Sequence, residues 1–118
     1  MSSKPKTWPP KGIVRALQVL YLLDQKKGMG THSDIQQEVG CAYTTVHRYL
    51  RVLREVFSVK IEARQEVFSR FKRPSYYLIK DWGIIKERSF RENFPTQIKP
   101  LVDELDRQEG RNQSSGEK

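Results

Sequence analysis

The chain has 118 residues, 36% of them apolar and 31% charged, which suits one modest domain with ends outside its core. A formal net charge of +8 and a sequence pI near 9.8 point to a polyanionic partner. Apolar density in the middle excludes full disorder, the lack of any apolar run near about 18 residues excludes a spanning helix, and the single cysteine, Cys41, excludes an internal disulfide.

Residues 1–11, "MSSKPKTWPPK", read as a flexible basic arm. They hold lysines but no apolar run after them, so no signal peptide is expected, and the setting is expected to be cytoplasmic and nucleoid-associated. With Lys4, Lys6 and Lys11, Trp8 suits a minor-groove arm, an anchor on the body or a loose terminus. Pro9 and Pro10 block a helix before them and allow one after. "GIVRALQVLYLLD" then places Ile13, Leu17 and Leu20 at helical spacing, with Ala16 and Leu23 beside them. Val19, Tyr21 and Leu22 widen the apolar surface, so this helix is either deeply buried or also lies at a subunit contact. "QKKGMG", residues 25–30, ends it in a turn.

Thr31 opens a second helix, with Asp34 three residues on as a near capping box and Ser33 as an alternative cap. Ile35 and Val39 share one face, and Gly40 supplies the left-handed stop. A third helix runs from about Ala42 to Val56. Val46, Leu50, Leu53 and Phe57 form its buried stripe, flanked by Tyr43 and Tyr49. At about 100° per residue, Thr44, Arg48 and Arg51 stand opposite, with Thr45 and His47 at the edges.

Period-two alternation over Phe57, Val59, Ile61 and Ala63 predicts a strand, and "SYYLI", residues 75–79, a second. The connection "QEVFSRFKRP" makes the pair a basic hairpin carrying Arg64, Arg70, Lys72 and Arg73, with Val67, Phe68 and Phe71 either extending a strand or packing back. Asp81 is placed to cap a short helix over "WGIIKERSF", broken at Pro95, with Trp82 packed under the wing. Ile98, Leu101, Val102 and Leu105 predict a last helix from near residue 99. That stripe is too short to stand alone in water, so it needs a partner surface: a second copy is favoured, its own domain the alternative. Residues 110–118 read as a disordered tail.

Helix, short helix, turn, polar-faced helix and basic hairpin together outline a winged helix-turn-helix: mostly α with a small β-hairpin, followed by a C-terminal helical extension. The divisions expected are an arm at 1–11, the DNA-binding domain at 12–80, an extension with possible dimerisation at 81–109, and the tail. Residues 1–80 hold 15 of the 22 Lys and Arg but 6 of the 14 acids, so the basic excess belongs to the part expected to fold and not to the tail. Arg grips a guanine edge with two hydrogen bonds, and Thr meets a base edge or a thymine methyl. Ser33 and Thr44 would hold phosphate, and the hairpin would follow the backbone or a minor groove.

"RALQVLYLL", "DIQQEVG" and "TTVHRYLRVL" resemble the N-terminal DNA-binding domain of isocitrate-lyase-regulator-type bacterial repressors, over about residues 13–79. They are also similar to the winged helices of deoxyribose-regulator-type and WYL-domain regulators. The T-V-H-R-x-L string is specific to such domains as a group. The resemblance implies double-stranded DNA as partner, and two departures qualify it. Ala42 stands where these families carry a capping Ser. About 38 residues follow Lys80, too few for an effector-binding domain, so no small-molecule effector is expected.

The expectation is therefore a sequence-specific double-stranded DNA binder, a repressor-like transcriptional regulator, as a homodimer on two half-sites. Its DNA contacts would be Ser33, Tyr43, Thr44, Thr45, His47, Arg48, Arg51, Arg64, Arg70, Lys72 and Arg73. Alternatives are an accessory DNA binder in replication, excision or transposition of a phage or mobile element, and a protein-interaction winged helix. RNA suits a groove-reading helix less well. No enzyme, cofactor, metal or membrane association is expected. One Cys and two His, His32 and His47, fall short of a four-ligand zinc site, and no third group orients His47 beside Cys41.

Overall fold

The structure is a computed structural model that describes residues 10–64 and 76–110. Expectations for the N-terminal arm, for Arg70, Lys72 and Arg73, for Val67, Phe68 and Phe71, and for the tail beyond Gly110 lie outside the described residues.

Helix α1, Lys11–Lys26, begins where Pro10 accepts hydrogen bonds from the amides of Ile13 and Val14. It ends at Lys27, which adopts a left-handed φ of 48°. Its burial is wider than a single stripe. Ala16, Val19, Leu20 and Leu23 face one core, and Val14 faces another. Ile13 and Leu17 are only half-buried, so the true inward faces lie a residue to either side of the expected one. Deep burial is thus the reason for the broad apolar surface of α1.

Gly30–Thr31 forms a two-residue strand, β1, where the sequence predicted only a turn. Helix α2, His32–Val39, follows without a break. The Thr31 hydroxyl accepts from the Asp34 amide at 3.1 Å, and the Asp34 carboxylate accepts from the Thr31 amide at 3.0 Å. The expected capping box is therefore complete, with Asp doing the work of Glu. Gly40 ends α2 at a φ of 70°.

Helix α3, Tyr43–Phe57, buries Val46, Tyr49, Leu50 and Leu53, with Phe57 half-buried. β2, Lys60–Arg64, and β3, Tyr76–Asp81, are antiparallel, with Ile61 opposite Ile79 and Ala63 opposite Tyr77. The strand starts three residues later than the alternation suggested. Val59 is buried just before it, whereas Ala63 is exposed. β1 pairs with the other edge of β3, so the sheet has three strands in the order β1-β3-β2, with the root of the wing at its centre.

Asp81 does not cap a helix. Its carboxylate accepts from the Gly83 amide at 2.8 Å and closes a turn, and helix α4 starts later, at Glu87–Asn93. The turn folds back on α3, where the Ile84 amide donates to the Phe57 carbonyl at 2.9 Å. Trp82 is half-buried against the core, beside Phe90.

Pro95 does not end the helix either. The chain widens into a π-helical segment, Phe94–Ile98, and continues as α5, Lys99–Gln108. The Lys99 amide reaches back five residues to the Phe94 carbonyl. Proline lacks an amide hydrogen and clashes with the carbonyl four residues back in an α ladder. Here each proline sits in the first turn of its segment, and the wider ladder carries the chain past them.

The last helices pack on α1. Val14, Phe94 and Val102 form a second small core, with Tyr21, Ile98, Leu101 and Leu105 around it. Tyr21 stacks on Phe94 at a centroid distance of 4.0 Å. The partner surface that the C-terminal stripe needs is therefore its own domain. The bidentate contact of Arg91 with Asp24, at 2.8 and 2.7 Å, ties α4 to the end of α1. That contact, with Glu87 alongside, raises the guanidinium pKa further above its usual range.

Candidate nucleic-acid interface

The buried stripe of α3 turns the opposite face outward. Thr44, Arg48 and Arg51 are all exposed on it, one helical turn apart. They form one contiguous polar strip along the helix. Glu55 completes the strip at its C-terminal end. Arg51 Nε donates to the Glu55 carboxylate at 3.2 Å, with both side chains open to water. An exposed pair of this spacing is worth about 0.3–0.5 kcal/mol, so Arg51 is held weakly and can be won by a stronger acceptor.

At the N-terminal end of α3, Ala42 has the extended backbone of a cap residue but makes no side-chain cap. The Thr45 amide donates to the Ala42 carbonyl at 3.0 Å, but no side chain caps the first turn, and helix N-termini of this kind favour anions. Thr45 is half-buried, Ser33 exposed.

Tyr43 is 59% exposed, yet its ring is fixed. It stacks on His32 at 3.9 Å between centroids, and His47 lies 5.6 Å from Tyr43 and 4.9 Å from His32. Three rings from α2 and α3 thus make one ledge at the start of the outward face. His47, exposed on that ledge, sits at the edge of the face, as its helical position predicted.

Of the wing residues expected to hold backbone, Arg64 is described. It is exposed at the end of β2, with Nε 3.4 Å from Glu62, and Lys80 lies 3.8 Å from the same carboxylate. Sequence reasoning passed over Arg54 and Lys60. Both are exposed, and they line one shallow depression with Ser58, Val59 and Ile61. Arg54 stands on the side of α3 nearest the sheet, between the helix strip and the wing. Its i+3 spacing from Arg51 was the available signal, since that spacing keeps two side chains on adjoining faces. His32 was weighed only as a metal ligand. Among the described residues no group of three His, Cys, Asp or Glu side chains could hold a metal ion.

The geometry has matches among known proteins. Residues 12–56 match the model of the IclR helix-turn-helix domain. A crystal structure of a DUF2131 family protein from Shewanella amazonensis SB2B is similar in fold, with a TM-score of 0.62 at 18% identity, over 78% of this chain and 89% of that one. No curated protein matches the sequence. No described helix is long and apolar enough to cross a membrane. Residues 12–56 are thus similar to an IclR-type helix-turn-helix domain, and with the three-stranded sheet that follows them the fold is that of a winged helix-turn-helix.

Proposed function

We propose that the chain binds double-stranded DNA sequence-specifically and regulates transcription, in the manner of a repressor. The observation that carries this reading is the outward strip of Thr44, Arg48 and Arg51 on a helix packed beside an antiparallel wing. A helix fits a major groove about 12 Å wide, and two arginines one turn apart suit guanine edges. Tyr43, Thr45 and His47 stand at the margins of that contact, and Ser33 at the start of α2 reaches phosphate. Arg64 holds backbone from the wing, as would Arg70, Lys72 and Arg73. Helix-turn-helix proteins commonly bind paired half-sites, which supports a homodimer on DNA. Because Val102 is covered by α1, the two copies would meet through other surfaces.

Selection of bound duplexes from a random pool, at stated salt, tests the reading. A defined motif is expected, palindromic if two copies bind. Loss of the Arg48 guanidinium, in Arg48→Ala, should then cost about 1–3 kcal/mol on that motif and relax one base position. Unchanged specific binding by Arg48→Ala in a mobility-shift titration would remove the recognition face. Whether the motif maps to promoters or to origins and element ends separates a regulator from an accessory factor in replication, excision or transposition.

A further inference from the structure

His32 is the first residue of α2, and it is 5% exposed. A buried imidazole costs free energy unless its nitrogens find partners. Both do, and the partners sit on two different elements. Nδ1 lies 3.0 Å from the Tyr77 hydroxyl on β3, and Nε2 lies 3.0 Å from the carbonyl oxygen of Tyr43, the first residue of α3. A carbonyl only accepts, so Nε2 carries a hydrogen. With Nε2 donating, Nδ1 is the ring nitrogen left to accept from the Tyr77 hydroxyl. Burial raises the Tyr77 pKa, with a smaller push from Tyr43, which keeps that hydroxyl protonated and donating.

The backbone of His32 is fixed as firmly as its ring. The residues just before it pair with the same strand, Gly30 opposite Tyr77 and Thr31 opposite Tyr76. The capping box of Thr31 and Asp34 then locks the entry to α2. The ring also carries the stacked Tyr43 and the tilted His47. One side chain therefore joins the sheet that bears the wing, the start of α2 and the start of α3. Ala42 itself supplies no side-chain cap to the first turn of α3.

We propose that His32 is a positioning residue for duplex recognition, setting the wing and the N-terminus of α3 in one fixed register against the DNA. The inference rests on the DNA-binding reading above. Hydrogen bonds to base edges demand geometry fixed to about 0.5 Å, whereas phosphate attraction needs mainly charge. Loosening this tie should therefore erode sequence discrimination and spare non-specific affinity.

The test uses the full chain, the duplex it selects from a random pool, and a scrambled duplex of equal length. Tyr77→Phe removes one hydroxyl without changing charge. His32→Phe keeps a stacking ring and removes both polar contacts. His32→Gln returns a donor and an acceptor. Tyr77→Phe and His32→Phe are expected to bind the selected duplex about five- to tenfold more weakly, as the loss of one or two hydrogen bonds implies. Their affinity for the scrambled duplex and their salt slope should hold within about twofold, because the phosphate contacts are untouched. His32→Gln should recover most of the discrimination. Equal losses on both duplexes would assign His32 a purely structural role and overturn the proposal, and so would full discrimination by a folded Tyr77→Phe. If His32→Phe fails to fold, as circular dichroism would reveal, Tyr77→Phe decides the matter. A wild-type chain indifferent to every duplex would bring down the DNA-binding reading and this proposal together. Wild-type discrimination that Tyr77→Phe leaves intact would bring down this proposal alone.

Discussion

Arg15, on the first helix, places Nη2 3.0 Å from the carboxylate of Asp106, 91 residues further along the chain. The same nitrogen lies 2.9 Å from Glu109, and Nη1 donates to Gln18 at 2.7 Å. The side chain is 1% exposed, so these partners are what allow a full charge to sit there. Removing the acids while keeping the guanidinium is the severe change, because it strands a buried charge. The double variant Asp106→Asn with Glu109→Gln should lose about 3–5 kcal/mol in urea denaturation. Arg15→Met, which removes the charge along with its demand for partners, should lose less.

The same contact gives the stability a pH dependence. Burial pushes the Glu109 carboxyl pKa up, but the hydrogen bond from Lys11, at 2.7 Å, and the Arg15 charge outweigh it, and the net shift is downward. A depressed carboxyl pKa contributes stability above its unfolded value, about 4.3 for Glu, and loses it as pH falls through the folded value. Unfolding free energy measured from pH 6 to pH 3 should therefore fall on the acid side, and Glu109→Gln should flatten part of that fall.

Glu55 restrains Arg51 and adds negative charge to the outward strip of α3. Releasing that pair is worth about twofold in affinity, so Glu55→Gln should tighten DNA binding by at least that much. The effect should shrink as salt rises, in a mobility-shift series.

Ala42 already has the extended backbone, φ −73° and ψ 160°, that a capping residue requires. Ala42→Ser should stabilise the fold by about 1 kcal/mol in thermal or urea melts. Ala42→Asp should stabilise it similarly through the helix dipole, yet weaken DNA binding, because its carboxylate would occupy the place of a phosphate.

Gly83 has a φ of 62°, and a Cβ built on it would lie 2.1 Å from the Phe57 carbonyl oxygen. Backbone cannot yield as a side chain can. Gly83→Ala should cost at least about 3 kcal/mol, through strain and displacement of the end of α3. A chevron or equilibrium melt would show it.

Local chemistry was legible in the sequence, and distant pairing was not. The capping box at Thr31 and Asp34, the left-handed Gly40 and the inward stripe of α3 depend on residues within a turn or two of each other. β1 was hidden because two residues have no period of their own, and its existence depends on Tyr76 and Tyr77 far along the chain. The continuous passage through Pro95 was hidden because a proline forbids an α ladder but not the wider one. At the site, helical geometry gave the strip of Thr44, Arg48 and Arg51. The buried pairing of His32 with Tyr77 and the burial of Arg15 ran against residue type, since charged and polar side chains default to the surface.

Helix α1 is a party wall between two rooms. The body of the winged helix leans on one side of it, and Phe94 and Val102 lean on the other. A dividing line drawn after residue 80 cuts through shared masonry: a fragment ended there would bare Val14 and Tyr21 and strand the Arg15 cation. The C-terminal helices, through Glu109, are thus part of the foundations, not an annex.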